Sequence, residues 1–349
     1  MRESLLGKTP DELREVAIKV GLPAFAGKQL AGWLYGRRVR SFDEMTNISK
    51  AGRERLKEEY DLGVTMPSTC QVSKDGTKKY LFPMNEGDAV EAVMIPDDDR
   101  KTLCVSSQAG CRMGCKFCAS GLNGLTRNLL ASEILAQIIM AGKDNGIRVS
   151  NVVMMGMGEP LDNFENSAKF LRLVSDEIGL NIGLRHISLS TCGVVKGIDK
   201  LATLNMPITL SVSLHAPFDD IRNNIMPINR KWNIQSLISA CKRYQAVTTR
   251  RISFEYALIS GVNDTDACAK ELARITKGIL CHINLIPANP VNENSFSKPQ
   301  RGKINSFRNL LRSYGLTATV RRTLGSDIDA SCGQLRRRLR EEKKSADIQ

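Results

Sequence analysis

The sequence contains no run of eighteen contiguous apolar residues, which excludes a conventional membrane-spanning helix. Its opening stretch, MRESLLGKTPDELREV, is charged and lacks the apolar segment of a secretory signal. We therefore expect a cytoplasmic protein with no membrane partner. In that compartment the ten cysteines are expected to be reduced thiols rather than disulfides.

Acidic residues are also in deficit, since 37 Asp and Glu face 50 Lys and Arg, a net charge of +13. Residues 297–349 hold thirteen basic and five acidic residues, which is +8 of that total. A concentrated basic surface favours a polyanion such as a nucleic acid, because binding releases counterions. For residues 336–344 alone, a solvated tail explains the charge equally well.

The most informative pattern is three cysteines spaced C-x3-C-x2-C in AGCRMGCKFCASG, namely Cys111, Cys115 and Cys118. Three thiolates on a four-iron cubane leave one iron open to a small ligand. The alternative is a structural zinc site that has Cys104 as its fourth ligand. Zinc sites usually pair two separated C-x2-C knuckles, so the spacing favours the iron–sulfur cluster.

Apolar, β-branched runs alternate with amphipathic helical stretches from residue 102 onward. This alternation predicts an α/β fold in which a parallel sheet is wound as a partial (β/α)6 barrel. An open doubly wound sheet is the alternative. The predicted strands are residues 102–106, 151–155, 186–190, 208–214, 252–258 and 282–286, with a further strand at 317–322.

The sequence before the barrel has a different character. It predicts helices over residues 9–20, with Thr9 as a cap, 27–35 and 49–60. Residues 77–96 have the pattern of a β-hairpin extension. We therefore divide the chain into a small N-terminal helical domain (1–75), a hairpin linker (76–100), the barrel (101–325) and a C-terminal loop and basic tail (326–349).

Polar and glycine-rich motifs follow the predicted strands. The cysteine motif follows the first strand, MGMGEPL the second, STCG the third, SLH the fourth and NLIPANP the sixth. Barrel enzymes assemble their active sites at this end of the strands. Gly156 and Gly158 allow close backbone approach to a ligand, and Glu159 can accept from a ribose hydroxyl or an amino group. By itself, GxGE is more often a tight turn.

Three residues outside these motifs are candidates for chemistry. Cys332 lies in GSDIDASCGQL, 214 residues after the cysteine motif, where Asp327 and Asp329 would raise the pKa of its thiol. Cys104, taken alone, is best interpreted as a core residue of its strand. Glu91 has apolar neighbours in a strand, so it either faces solvent or is held inward.

Together the motifs VEAVMIP, LCVSSQAGCRMGCKFCASG, MGMGEPL, SVSLHAP, MPINRKWNI, LIPANP and GSDIDASCGQL resemble the RlmN family within the radical S-adenosylmethionine (SAM) superfamily. The resemblance covers nearly the whole chain. It implies a barrel of the radical SAM type and an RNA-binding N-terminal helical domain. It also implies two cofactors, SAM and a 4Fe-4S cluster held by Cys111, Cys115 and Cys118.

The resemblance implies roles for individual positions. Cys332 would carry a methyl group, Cys104 would resolve it through a transient disulfide, and Glu91 would accept a proton. This role for Cys104 replaces its interpretation as a core residue. The positions that match SAM contacts are Gly158, Glu159, Ser190, Ser213, Leu214, His215 and Asn289.

The implied reaction methylates carbon 2 of an adenosine in 23S rRNA and of an adenosine beside the anticodon in tRNAs. That carbon is not nucleophilic, so one SAM first methylates Cys332, and a radical made from a second SAM activates the new methyl group. After the methyl carbon adds to the ring, proton loss and attack by Cys104 release the product. The family also implies a flavodoxin-type electron donor and a monomeric enzyme.

Several alternatives remain open at this point. The related Cfr group methylates carbon 8 with the same cysteines, although Pro160 and LIPANP favour carbon 2. Cys192 departs from the family pattern and, two residues beyond Ser190, would bring a third thiol near the site, where it could compete in disulfide pairing. Two further hypotheses are a zinc-stabilised RNA-binding protein without catalysis and a radical enzyme that acts on a small molecule.

Overall fold

The computed structural model describes residues 2–84, 88–97, 99–288, 296–328 and 330. Its N-terminal part is helical, as predicted. The helices there are α1 (Pro10–Lys19), α2 (Ala26–Ala31), which continues as a π-helical turn over Gly32–Arg37, and α3 (Lys50–Glu59). Strands β1 (Glu3–Ser4) and β2 (Tyr60–Asp61) pair in parallel and join the two ends of this unit.

The start of α1 follows from its sequence. Thr9 accepts a hydrogen bond from the Glu12 backbone N–H, and the Glu12 side chain accepts one from the Thr9 N–H. This capping box satisfies two backbone donors that a helix start leaves open, which confirms the predicted cap. Glu12 also lies 2.8 Å from Lys169 Nζ on a barrel helix, so the N-terminal unit packs directly against the barrel.

A ten-stranded sheet forms the centre of the molecule. The remaining strands are β3 (Thr69–Val72), β4 (Lys78–Pro83), β5 (Ala89–Ile95), β6 (Thr102–Cys104), β7 (Gln108–Gly110), β8 (Leu125–Asn128), β9 (Asn151–Met154), β10 (Ile187–Thr191), β11 (Thr209–Ser213), β12 (Ile252–Leu258), β13 (Cys281–Pro287) and β14 (Ala318–Val320). The sheet contains all of these except β7 and β8, which pair with each other.

The order of the parallel strands decides between the two predicted architectures. It runs β6, β9, β10, β11, β12, β13, β14, so each strand lies beside its successor in the chain. A doubly wound sheet would reverse this order at a switch point. The partial barrel is therefore confirmed and the open doubly wound alternative is wrong. β14 adds a seventh parallel strand, as the further predicted strand indicated.

Helices cover the outside of the parallel strands. They are α4 (Ala131–Asp144), α5 (Phe164–Ser175), α6 (Val195–Thr203), α7 (Asp219–Ile225), α8 (Ile234–Thr248), α9 (Asp266–Thr276) and α10 (Arg301–Ser313). Their apolar faces pack on strand residues such as Leu189, Leu210 and Phe254, which are completely buried. Among the described residues, none of the helices combines the length and apolarity needed to span a bilayer.

The predicted hairpin is confirmed and belongs to the main sheet. β4 and β5 pair antiparallel with Leu81 opposite Glu91, and β5 continues the sheet by pairing antiparallel with β6, where Val93 lies opposite Cys104. Side chains alternate along a strand, and directly opposed residues share a face. Glu91, Val93 and Cys104 therefore lie on one face. The tip of the hairpin, residues 85–87, lies outside the described residues.

Candidate active site

The cysteine motif forms a loop closed at its base by β7 and β8. The Cys111 N–H donates to the Gly124 carbonyl across that base at 2.9 Å. Gly110 has φ +78°, and a Cβ there would come within 2.1 Å of the Gly124 oxygen, so only glycine permits this closure. The Lys116 N–H donates to the Ile225 carbonyl and fixes the tip against α7.

The three thiols of the motif lie close enough to repel one another as thiolates. Burial, opposed by the Met113 N–H and assisted by the charges of Cys118 and Glu159, raises the pKa of Cys111 to about 12. Burial likewise raises the pKa of Cys115, with Cys118 and Cys111 adding to the effect. Such a set becomes stable as thiolates when a cationic group binds, so the donor chemistry fits a 4Fe-4S cluster.

The zinc alternative has no support in the described part of the chain. No group of three or more His, Cys, Asp or Glu side chains there has the arrangement that a single metal ion requires. A zinc ion would need sulfurs about 2.3 Å from one centre. The preference for the 4Fe-4S cluster therefore rests on the C-x3-C-x2-C spacing of the three cysteines.

The loop after β9 contains the predicted Gly158 and Glu159. Gly158 has φ +99°, and a Cβ there would lie 2.5 Å from the Gln108 side chain, so a glycine is required. The Glu159 carboxylate is buried and accepts from the backbone N–H groups of Leu161 and Cys192 at 3.0 and 2.7 Å. Burial raises its pKa, and these two donors oppose that shift. The carboxylate thereby bridges the ends of β9 and β10.

The remaining predicted SAM contacts lie at or near the ends of β10 and β11. Ser190 and Ser213 are half-buried strand residues, and Leu214 is completely buried. His215 has φ +56°, and its Nδ1 accepts from the Ala257 N–H at 2.8 Å. Burial lowers the pKa of His215 to about 3, so the ring is neutral and carries its proton on Nε2. Phe117 packs edge-on against this ring, with centroids 4.6 Å apart.

Sequence reasoning missed Arg222, which ties several of these parts together. Its guanidinium is completely buried on α7. It donates to the carbonyls of Leu214, Ser213 and Cys192 at 2.7 to 3.0 Å and to Asn229 Oδ1 at 2.9 Å. A single arginine in a short helix carries no sequence signal for such a role, because the acceptors come from separate segments.

Cys192 lies on the cluster side of the site. Its N–H donates to Glu159, and burial, followed by the nearby charges of Glu159 and Cys115, raises the pKa of its thiol. The structure places this third thiol near the cysteine motif, where the charges of Cys115 and Cys111 act on it.

A cavity of about 650 Å³ opens at the C-terminal ends of the strands. Among the predicted site residues it brings together Glu91, Cys104, Cys118 and His215. Its wall continues through Arg321, Arg322, Thr323 and Leu324, which follow β14, and reappears at Ala330. The cavity therefore joins the cysteine loop, the hairpin strand and the C-terminal segment, which are distant in sequence. Asn289 and Cys332 lie outside the described residues.

Two buried residues, Glu91 and Cys104, place ionisable side chains on the wall of this cavity. Burial raises the pKa of the Cys104 thiol to about 11, while the charge of Arg321 acts in the opposite direction. Cys104 is therefore a protonated thiol at neutral pH. Glu91 is 3 % exposed and lies 3.8 Å from Nζ of Lys79, which is also completely buried. The Glu91 side chain therefore points inward, and the solvent-facing orientation that the sequence also allowed is wrong.

Comparison with known families and proteins places this site in a family. The radical SAM superfamily model matches residues 105–270, and the model of the ribosomal RNA large subunit methyltransferase N-terminal domain matches residues 3–62. The probable dual-specificity RNA methyltransferase RlmN of Clostridium novyi (strain NT) is 48% identical, over 96% of this chain and 98% of that protein. The chain belongs to the RlmN family.

A second relative and a solved structure agree with this assignment. The probable dual-specificity RNA methyltransferase RlmN of Desulforamulus reducens is 51% identical over 94% of each chain. The crystal structure of a radical SAM methyltransferase from Sphaerobacter thermophilus has a TM-score of 0.92, with 44% identity over 95% of this chain and 98% of that one. The radical SAM barrel and the cofactor pair of cluster and SAM are thereby confirmed.

Proposed function

We propose that this RlmN-family enzyme methylates carbon 2 of a specific adenosine in 23S rRNA and of an adenosine beside the anticodon in tRNAs. In this proposal Cys332 carries the methyl group, Cys104 resolves the intermediate and Glu91 accepts the proton. The observation that carries the proposal is the shared cavity. It collects Glu91, Cys104, a cysteine of the cluster motif and Ala330, which is two residues before Cys332.

Chain geometry supports the role of Cys332. Two residues extend at most about 7 Å, so a chain that has reached the cavity wall at Ala330 can bring the Cys332 thiol into that cavity. Cys104 is already on the wall. A disulfide needs Cα atoms about 4.4–6.8 Å apart, which such a segment can reach.

The carrier cysteine answers a chemical difficulty. Carbon 2 of adenine does not attack the methyl of SAM directly, so the methyl group has to be activated on the protein first. When bound, the cluster supplies the electron for reductive cleavage of SAM. Cys111, Cys115 and Cys118 would hold it, and the loops that end in Glu159 and His215 would contact SAM.

The positions of Glu91 and Cys104 support their proposed roles in the release step. Both share one face of the β5–β6 pair, and the charge of Glu91 acts on the Cys104 thiol. After the methylene radical on Cys332 has bonded to carbon 2, Glu91 accepts the proton lost from that carbon, and the unpaired electron of the adduct would pass to the bound cluster, which restores the aromatic ring. The Cys104 sulfur then attacks Cys332, the sulfur–carbon bond breaks, and its electron pair stays on the methylene carbon, which takes a proton and becomes the methyl group. A disulfide is left, and cellular thiols reduce it.

Mass spectrometry of the anaerobically reconstituted protein tests the carrier role. We expect a SAM-dependent methyl on Cys332 that is absent from Cys332→Ala. We also expect Cys104→Ala to accumulate a covalent protein–RNA adduct, because the attacking sulfur is missing. Nucleoside analysis of the released RNA should show methylation at carbon 2. An unmodified Cys332 in protein that binds iron and cleaves SAM would refute the carrier mechanism, and product methylated at carbon 8 would refute the site of reaction.

A further inference from the structure

The two acidic residues near Cys332 pose a problem for the proposed chemistry, because they would hinder formation of its thiolate. The structure gives one of them another partner. Asp327 Oδ2 accepts from the Lys74 backbone N–H at 3.1 Å, and its Oδ1 accepts from the Ser73 hydroxyl. Both partners belong to the turn 73–77 between β3 and β4. Both oxygens of the Asp327 carboxylate therefore accept hydrogen bonds from a turn that lies about 254 residues earlier in the sequence.

A second carboxylate makes the reverse contact. Asp75, in the same turn, accepts from the Gly325 N–H with Oδ2 at 2.7 Å and from the Thr77 N–H with Oδ1 at 2.9 Å. The Gly325 N–H lowers the pKa of Asp75 more than any other group, and the Ser73 hydroxyl does the same for Asp327. The turn 73–77 and the segment 325–327 thus contribute one acid each, and each acid accepts a hydrogen bond from a backbone N–H of the other segment.

The contact lies beside the cavity. Leu324, which precedes the contact, and Ala330, which follows it, both line the cavity wall, as does Thr77 of the turn. The Ala330 N–H donates back to the Gly325 carbonyl at 3.1 Å. Gly325 has φ +65°, and a Cβ there would lie 2.5 Å from Ala330 Cβ and 3.1 Å from Thr77 Cγ2. The segment therefore turns tightly at Gly325 with the hairpin as its support.

We propose that the turn 73–77 is an anchor that fixes the C-terminal segment at the cavity, with Asp75 and Asp327 as positioning residues for the encounter of Cys332 with Cys104. This inference rests on the proposed roles of those two cysteines. The physical reason is effective concentration. A segment that is held at Gly325 and Asp327 presents the next few residues to a small volume, whereas a released segment samples a much larger one.

Replacing aspartate by asparagine should have different effects at positions 75 and 327, because the two carboxylates accept from different kinds of donor. Both partners of Asp75 are N–H donors, so the NH2 group of Asp75→Asn must face one of them and loses that bond. Asp327 faces one N–H and one hydroxyl, and a hydroxyl can also accept. Asp327→Asn can therefore keep both contacts, whereas Asp327→Ala cannot. Asp199→Asn is the matched control, since Asp199 is a surface acid paired with Arg243 on other elements.

The first measurement is the effective concentration of the Cys104–Cys332 pair in the cluster-loaded full chain, equilibrated anaerobically with glutathione. Oxidised glutathione takes two electrons and two protons from the two thiols and becomes two reduced glutathiones. At a known ratio of reduced to oxidised glutathione, the equilibrium ratio of the Cys104–Cys332 disulfide to the free dithiol therefore reports how close the two thiols are. Alkylation and mass spectrometry identify the pair. We expect Asp75→Asn and Asp327→Ala to lower this value about tenfold and Asp327→Asn about twofold or less, with Asp199→Asn unchanged.

The second measurement is hydrogen exchange of peptides that cover residues 70–78 and 322–331. It reports the anchor without using Cys332. We expect faster exchange in both peptides for Asp75→Asn and Asp327→Ala, with the rest of the chain unchanged. Unchanged exchange would overturn the anchor, while a SAM-dependent methyl on Cys332 would show that the proposed function still stands.

Two other outcomes also decide the matter. Faster exchange with an unchanged effective concentration would overturn the positioning role, because the contact would order the segment without directing it. If wild-type Cys332 neither pairs with Cys104 nor carries a methyl group, the proposed function fails, and the positioning role falls with it even where the anchor is protected.

Discussion

Single buried side chains decide the shape of this site. Arg222 collects carbonyls from the ends of β10 and β11, and Glu159 collects backbone N–H groups from two loops. Both are ionisable groups with little exposure, which proteins rarely bury without partners. Each therefore holds two loop segments together by hydrogen bonds, in addition to the contacts that the sheet provides.

Arg222→Met should be strongly destabilising. It leaves three carbonyls, two of them in buried hydrogen bonds, and the Asn229 side chain without their donor, so we expect the free energy of unfolding to fall by about 3–5 kcal/mol. Urea unfolding of the two proteins measures this. Arg243→Met is the control, because its exposed pair with Asp199 should contribute about 1 kcal/mol or less. Equal losses for the two variants would contradict the buried network.

His215 predicts a pH dependence of stability. Its folded pKa of about 3 lies below its ordinary value near 6.5, so the unfolded chain binds a proton first as the pH falls. The stability that depends on the neutral ring is present above about pH 6.5 and is lost towards pH 3. Between pH 7 and pH 4 we expect the wild type to lose about 3 kcal/mol more than His215→Gln. If the free energy of unfolding depends on pH in the same way in both proteins, His215 takes up its proton in the folded state and the prediction is wrong.

At the scale of elements, the loops after the strands depend on glycines that their geometry requires. Gly110 and Gly158 have positive φ, and each leaves no room for a Cβ. Gly158 packs on Gln108, whose side chain accepts from the Glu159 N–H and donates to Asn128 and Asp162. The GxGE motif is thus a tight turn whose first glycine, Gly156, lines the cavity, and the SAM contacts of Gly158 and Glu159 stay a prediction.

Gly158→Ala tests this arrangement. The added methyl would press on Gln108 and the backbone would be strained, so we expect a loss of about 2–4 kcal/mol in urea unfolding and weaker SAM binding by calorimetry. Gly146→Ala is the matched control, since Gly146 has φ +62° with nothing within 4 Å of a built Cβ. It should show only the backbone strain, about 1 kcal/mol. Similar losses of unfolding free energy for Gly158→Ala and Gly146→Ala would contradict the claim that contact with Gln108 requires a glycine at position 158.

At the scale of the whole molecule, charge and topology are separate properties. The net charge of +13 favours a polyanionic partner, and the proposed RNA substrates are of that kind. The single winding of the sheet, by contrast, brings together the cysteine loop, the hairpin and the segment after β14 around one cavity. Charge would attract RNA, while topology places the reactive groups.

Removal of residues 336–349 tests the basic tail. This stretch holds six Lys and Arg and three Asp and Glu, and it lies outside the described residues. If its basic groups bind phosphates, the slope of log affinity against log salt should become shallower by about 3–5. Fluorescence anisotropy with tRNA between 50 and 200 mM salt measures this slope. An unchanged slope would show that the tail is a solvated extension and that other surfaces bind the RNA.

The amino-acid sequence alone was enough to predict the element pattern, the cluster motif and the family. Periodicity is local, so the strands, the Thr9 cap and the hairpin were predictable from neighbouring residues. The spacing of Cys111, Cys115 and Cys118 likewise carries its own meaning. The loops could be assigned to one edge because parallel strands all end there.

Contacts between residues distant in sequence could be seen only in the folded chain. Nothing local links Asp75 to Gly325, Asp327 to Lys74, or Arg222 to the carbonyl of Cys192. These contacts arise because the hairpin joins the barrel sheet at β6 and because α7 packs beneath the strand ends. Burial and hydrogen bonding in three dimensions then gave one acid beside Cys332 a structural partner and brought Glu91 inward beside Cys104.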